Sequence, residues 1–192
     1  MDLFVTLVAG YALGAMPFAY WLGRSQGVDL TKAGTRNPGA ANLFRQVSHT
    51  LGVVAALADF GKGALAVLIG HWVGLSDAAS LAGGAAAVVG HWRSPLLGFR
   101  GGEGLAPAVG AALGALPLAA GIGTVAGVSM IAALRNTGWG AAFGWAVFVG
   151  VAYAFDEPPP MIWGLVGIGM AVVLRAGFRN LRRKRLAATA DG

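Results

Sequence analysis

Long apolar stretches broken by short polar loops dominate this chain. The apolar runs are Leu3 to Gly23, Leu51 to Val73, Ala78 to Trp92, Leu105 to Leu134, Trp139 to Phe155 and Met161 to Leu174, most of a length that spans a bilayer or nearly so. The fourth does not fit one ordinary crossing, because its residues would make a helix about 45 Å long. Charge decides how it is divided. Arg24, Lys32, Arg36 and Arg45 lie after the first run, Arg93 and Arg100 after the third and Arg135 after the fourth, whereas the connections near Asp77 and near Asp156 and Glu157 carry no Lys or Arg. Basic and non-basic loops alternate only if Leu105 to Leu134 crosses twice, which the positive-inside tendency favours. The natural break is Leu116-Pro117, leaving a short half-helix after Gly104 and a fuller helix ending near Leu134. The pattern predicts an all-α polytopic integral membrane protein with about seven transmembrane segments, N-terminus outside and C-terminus cytoplasmic.

Trp21, Trp72, Trp92, Trp139 and Tyr153 stand at or near segment ends, where amphipathic rings anchor in the headgroup layer. Gly164, Gly167 and Gly169 suit close helix approach. Met1 to Gly23 opens on an acid and leads into further spans, so it reads as a first membrane helix rather than a cleaved signal.

Composition agrees with this class. Of 192 residues, 56% are hydrophobic and only 11% charged, with 32 glycines, so residues 1–192 are expected to form a single membrane domain. There are no cysteines, which removes disulfides and thiol chemistry. The net charge of +6 comes mostly from a basic cytoplasmic tail, about residues 175–192, where six basic residues fall between Arg175 and Arg185. Such a cluster points to anionic membrane lipids and not to nucleic acid.

Candidate chemistry lies in three places. Residues Gly34 to Arg45, GTRNPGAANLFR, combine glycine turns with Asn37, Asn42, Arg36 and Arg45, donors suited to phosphate oxygens. Residues Gly90 to Gly104, GHWRSPLLGFRGGEG, repeat the theme: Gly101, Gly102 and Gly104 flank the start of the half-helix, with Arg100 beside them and Glu103 as an opposing charge. Both stretches are expected at one membrane face. Asp59 and Lys62, three residues apart inside the second run, share a helical face and should pair or face a polar interior. His49 and His71 sit near span ends. His91 stands at the second polar stretch, able to accept a proton or donate to a ligand. Three dispersed histidines without a carboxylate cluster make no metal site, and no cofactor is expected.

These stretches, in this order, resemble the PlsY-type bacterial glycerol-3-phosphate acyltransferases. The likeness runs from GYALGAMPFAYWLGR through GTRNPGAANLFR, ADFGKG and GHWRSPLLGFRGGEG to RNLRRK. It implies a small seven-helix enzyme of the inner, cytoplasmic membrane that moves an acyl chain from acyl phosphate to the 1-hydroxyl of glycerol 3-phosphate, giving lysophosphatidic acid. It implies catalytic roles for His91 and for Thr35, which stands where the family usually has Ser. It implies substrate binding by Asn37, Asn42, Arg45, Lys62, Arg100, Gly101, Gly102 and Asn180. The family's soluble counterparts use a His and Asp separated by four residues, a pair missing here, which favours an acyl-phosphate donor. The chain differs from the usual family pattern at Gly34-Thr35-Arg36-Asn37 (usually GSGN), at Ala41 (Thr), at Glu103 (Lys) and at Gly177 (His). Those differences keep open a second reading, a non-catalytic or repurposed relative that binds anionic lipid or a phosphorylated metabolite.

Overall fold

A computed structural model describes residues 1–188, with side chains up to Leu181. The rest of the basic tail lies outside the described residues. Among the described residues, nine α-helices and one 3-10 turn follow in order: α1 (Asp2–Ala15), α2 (Phe18–Ser25), α3 (Ala40–Gln46), α4 (His49–Trp72), α5 (Asp77–Trp92), the turn Pro95–Leu97, α6 (Leu105–Ala115), α7 (Pro117–Leu134), α8 (Thr137–Ala154) and α9 (Pro159–Ala188). Local chemistry explains several starts. The Ser48, Ser76 and Asn136 side chains accept from the backbone N–H groups of Leu51, Ala79 and Trp139, capping α4, α5 and α8. Gly104 begins α6 with φ +91°, a conformation that glycine adopts without strain.

The division at Leu116-Pro117 is as read from the sequence: α6 ends at Ala115 and Pro117 opens α7. The first run is a correction. Instead of one continuous helix, α1 stops at Ala15 and Met16 turns to extended backbone (φ −65°, ψ 115°). Pro17 is the physical reason, since it has no N–H and restricts the residue before it.

Among the described residues, five helical stretches are long and apolar enough to cross a membrane: Asp2–Ser25 with its break, α4, α7, α8 and Pro159–Leu181 of α9. With 16 and 11 residues, α5 and α6 rise about 24 and 16 Å, short of a hydrocarbon core of roughly 30 Å. The chain is an integral membrane protein whose core is built against these two shorter helices. Val67, Leu81, Ala111, Leu116, Phe148, Ile162 and Leu165 form its main apolar cluster.

Glycine lets the helices touch backbone to backbone. A Cβ at Gly14 would overlap the Ala87 carbonyl, bringing α1 onto α5, and one at Gly63 would overlap the Pro107 carbonyl, bringing α4 onto α6. Gly63→Ala should lower stability by about 1–3 kcal/mol through overpacking. Gly61→Ala, two residues away with nothing within 4 Å of the added carbon, should not. Thermal unfolding in detergent decides it, and equal midpoints for the two variants would refute this packing.

Candidate active site where two polar loops meet

Three carbonyl groups at the end of α1 begin the site. Helix termini leave carbonyls without intrahelical donors, and the break at Pro17 places such an end deep in the bundle. The Ser94 hydroxyl donates to the Ala15 carbonyl at 2.6 Å, and the Lys62 ammonium donates to that of Met16 at 3.1 Å. The third, Leu13, accepts from the Met16 N–H. Both donor side chains are almost fully buried, Lys62 at 4% and Ser94 at 2% exposure.

Lys62 is the hub. Its Nζ lies 2.7 Å from Asp59 Oδ1 on the same face of α4 and 2.9 Å from His91 Nδ1 on α5. An ammonium has only donors, so the Met16 carbonyl and His91 Nδ1 accept from it, while its contact with Asp59 is an ion pair. His91 Nδ1 therefore accepts, and Nε2 carries the ring hydrogen. That Nε2 lies against Gly102, where an added Cβ would collide with it. The pairing of Asp59 with Lys62 expected from their spacing is present.

The first polar loop is organised from within. Asn42, 2% exposed, donates through Nδ2 to the carbonyls of Leu30, Ala33 and Asn37 at 3.2, 3.0 and 2.9 Å, while its Oδ1 accepts from the Thr35 N–H at 3.1 Å. Its amide hydrogens are directed at the loop's backbone. Upstream, Asp29 accepts from the Thr31 hydroxyl and N–H, and the hydroxyl chiefly holds the Asp29 carboxyl below the usual carboxylate range. Arg36 keeps a left-handed backbone, φ +53°.

The second loop is tied down from several sides. Gly102 N–H donates to the His91 carbonyl, Trp92 Nε1 donates to the Glu103 carbonyl at 2.7 Å, and the Tyr11 hydroxyl donates to the Arg93 carbonyl. From α9, Arg179 Nη1 donates to the Gly101 and Gly102 carbonyls at 3.2 and 3.4 Å and lies 3.4 Å from Glu103 Oε1. Arg175 donates to the Trp92 carbonyl and stacks over the indole at 4.8 Å. Asn37 Nδ2 donates to Glu103 Oε1 at 3.5 Å, joining the loops. The cleft between them is lined by Met16, Pro17, Pro38, His91, Gly101 and Gly102, among others.

Of the residues expected at the site, the structure gathers Asn37, Lys62, His91, Gly101 and Gly102. Thr35 is exposed, its N–H donating to Asn42, and Arg45, Arg100 and Asn180 are exposed too. The two loops do share one end of the bundle. Sequence reasoning missed Ser94, Trp92, Arg175 and Arg179. The two arginines carried one legible signal, the four-residue spacing that puts both on one face of α9. Elsewhere His49 stacks on Phe44, and His71 Nε2 lies 3.5 Å from Asp77.

Comparison with known proteins agrees with this architecture. A glycerol-3-phosphate acyltransferase of Geobacter sulfurreducens is 34% identical over 185 residues, 96% of this chain and 94% of that one. One from a Roseiflexus species is 34% identical over 183 residues, 92% and 90% of the two chains. The crystal structure of PlsY, an integral membrane glycerol 3-phosphate acyltransferase, in its glycerol 3-phosphate form superposes with a TM-score of 0.83 at 24% identity. It covers 97% of this chain and 94% of that one, a match of fold. The glycerol-3-phosphate acyltransferase family model matches residues 4–186, and with these observations the chain belongs to that family.

Proposed function

We propose that the chain transfers an acyl group from acyl phosphate to the 1-hydroxyl of glycerol 3-phosphate, forming lysophosphatidic acid and releasing inorganic phosphate. The observation that carries this reading is the closure of two polar loops over a buried Lys62–Asp59–His91 cluster inside an apolar bundle. An acyl phosphate is already activated, so the protein has to orient two anionic head groups and balance their charge. The acyl tail remains among the lipids.

In this reading His91 acts as a donor. With Nδ1 occupied by Lys62, Nε2–H beside Gly102 offers a hydrogen to a phosphate or carbonyl oxygen, where negative charge grows during transfer. Taking a proton would make His91 a cation against Lys62 and within reach of Arg179. A substrate phosphate oxygen is the better acceptor for the hydroxyl proton. In this reading the exposed Thr35, Arg45, Arg100 and Asn180 meet the arriving anions, and Asn42 shapes the loop that carries Thr35 and Asn37.

Arg24, Lys32, Arg36, Arg45, Arg93 and Arg100 share the site's end of the bundle, which supports a cytoplasmic active site in the inner membrane, seven crossings and an external N-terminus. The whole chain then acts as one membrane domain. Purified protein given palmitoyl phosphate and labelled glycerol 3-phosphate should yield labelled lysophosphatidic acid. No product under conditions where an active family member turns over would remove the reading.

A further inference from the structure

The corner formed by Asn37 and Glu103 holds two acceptor oxygens that no donor among the described residues reaches. Asn37 turns its Nδ2 toward Glu103 Oε1, which fixes the amide orientation and leaves Asn37 Oδ1 facing away from the carboxylate. Asn37 Oδ1 and Glu103 Oε2 are both buried, and neither has a hydrogen-bond partner among the described residues. Buried acceptors of this kind are rare and cost stability until a donor reaches them. Each residue is the chain neighbour of one that lines the cleft, Asn37 of Pro38 and Glu103 of Gly102.

Chemistry selects the ligand group. A phosphate dianion has only acceptor oxygens at neutral pH and is repelled by a carboxylate. Arg179, on the other side of Glu103, already shares its guanidinium with that carboxylate and with the Gly101 and Gly102 carbonyls. An alcohol hydroxyl supplies the missing hydrogen and carries no charge. We infer that Glu103, supported by Asn37, is a specificity-determining residue whose free oxygen accepts a hydrogen bond from the 2-hydroxyl of glycerol 3-phosphate. The inference rests on the proposed acceptor substrate. Holding the spectator hydroxyl orients the neighbouring 1-hydroxyl, the group that attacks, and leaves the phosphate to cationic side chains.

The test compares binding of glycerol 3-phosphate with that of 3-hydroxypropyl phosphate, which keeps the primary hydroxyl and the phosphate but has no 2-hydroxyl. Titration calorimetry on detergent-solubilised protein should show glycerol 3-phosphate preferred by about 10- to 100-fold, the worth of one hydrogen bond to a charged acceptor. Glu103→Ala should bring that ratio close to one, and Glu103→Gln, which retains one acceptor oxygen, should restore part of it. Arg179→Ala should weaken both ligands together and keep the ratio. A wild type without preference, or a Glu103→Ala protein that binds and keeps the full preference, would overturn the assignment. Should Glu103→Ala fail to fold, the Glu103→Gln ratio decides in the same sense: an undiminished preference refutes it. Discrimination in binding without lysophosphatidic acid formation would remove the acyl-transfer reading and leave this one standing.

Discussion

Lys62→Met should lower stability by about 3–5 kcal/mol, the cost of leaving a buried charge without its partner, and should abolish lysophosphatidic acid formation. Asp59 is 2% exposed, and Lys62 Nζ is its ion-pair partner at 2.7 Å. The same substitution removes the donor that holds the Met16 carbonyl at the end of α1 and the one that sets the His91 ring. The two losses separate in a double variant. Asp59→Asn with Lys62→Met has no orphaned charge, so its thermal midpoint in detergent should recover most of the loss. Activity should stay absent, because His91 Nδ1 still has no ammonium to fix its tautomer and aim Nε2–H at the cleft. Equal midpoints for the single and double variants would show that Asp59 and Lys62 are not energetically coupled. An active double variant would show that the tautomer is set by something other than Lys62.

How much of this was legible in the sequence depended on whether the partner was encoded nearby. The break at Pro117 was readable because charge alternation demanded a second crossing there. Pro17 sends the same chemical signal and was passed over, since one crossing by Leu3 to Gly23 already satisfied the charge pattern. Its consequence is large: the broken end of α1 supplies carbonyls that draw Lys62 and Ser94 into the core. Asp59 and Lys62 announced themselves by a three-residue spacing. Arg175 and Arg179 looked like contacts for lipid headgroups because their partners are mostly backbone carbonyls and one indole, groups that leave no mark on composition. The pairing of Glu103 with Asn37 and Arg179 joins three distant segments. Only the fold brings them together.

Asn42 shows the same limit within a single motif, and it makes the second strong expectation. An asparagine among glycines and arginines offers the same donors to a phosphate as to a carbonyl. The structure spends them on Leu30, Ala33 and Asn37 and accepts the Thr35 N–H in return. Asn42→Ala strips the loop of its internal donors, and at about 1 kcal/mol for each carbonyl left without one the loss should reach roughly 2–4 kcal/mol. Because Thr35 and Asn37 hang on those bonds, kcat should fall by about 100-fold or more, as expected when catalytic geometry is displaced by an ångström. Asn42→Asp keeps the acceptor for Thr35 but turns a carboxylate toward three carbonyl oxygens, so it should be at least as damaging. A direct phosphate ligand would behave otherwise: its removal would raise KM for glycerol 3-phosphate while thermal stability held. Steady-state kinetics beside thermal unfolding separate the two, and an Asn42→Ala protein with an unchanged midpoint would return Asn42 to the phosphate.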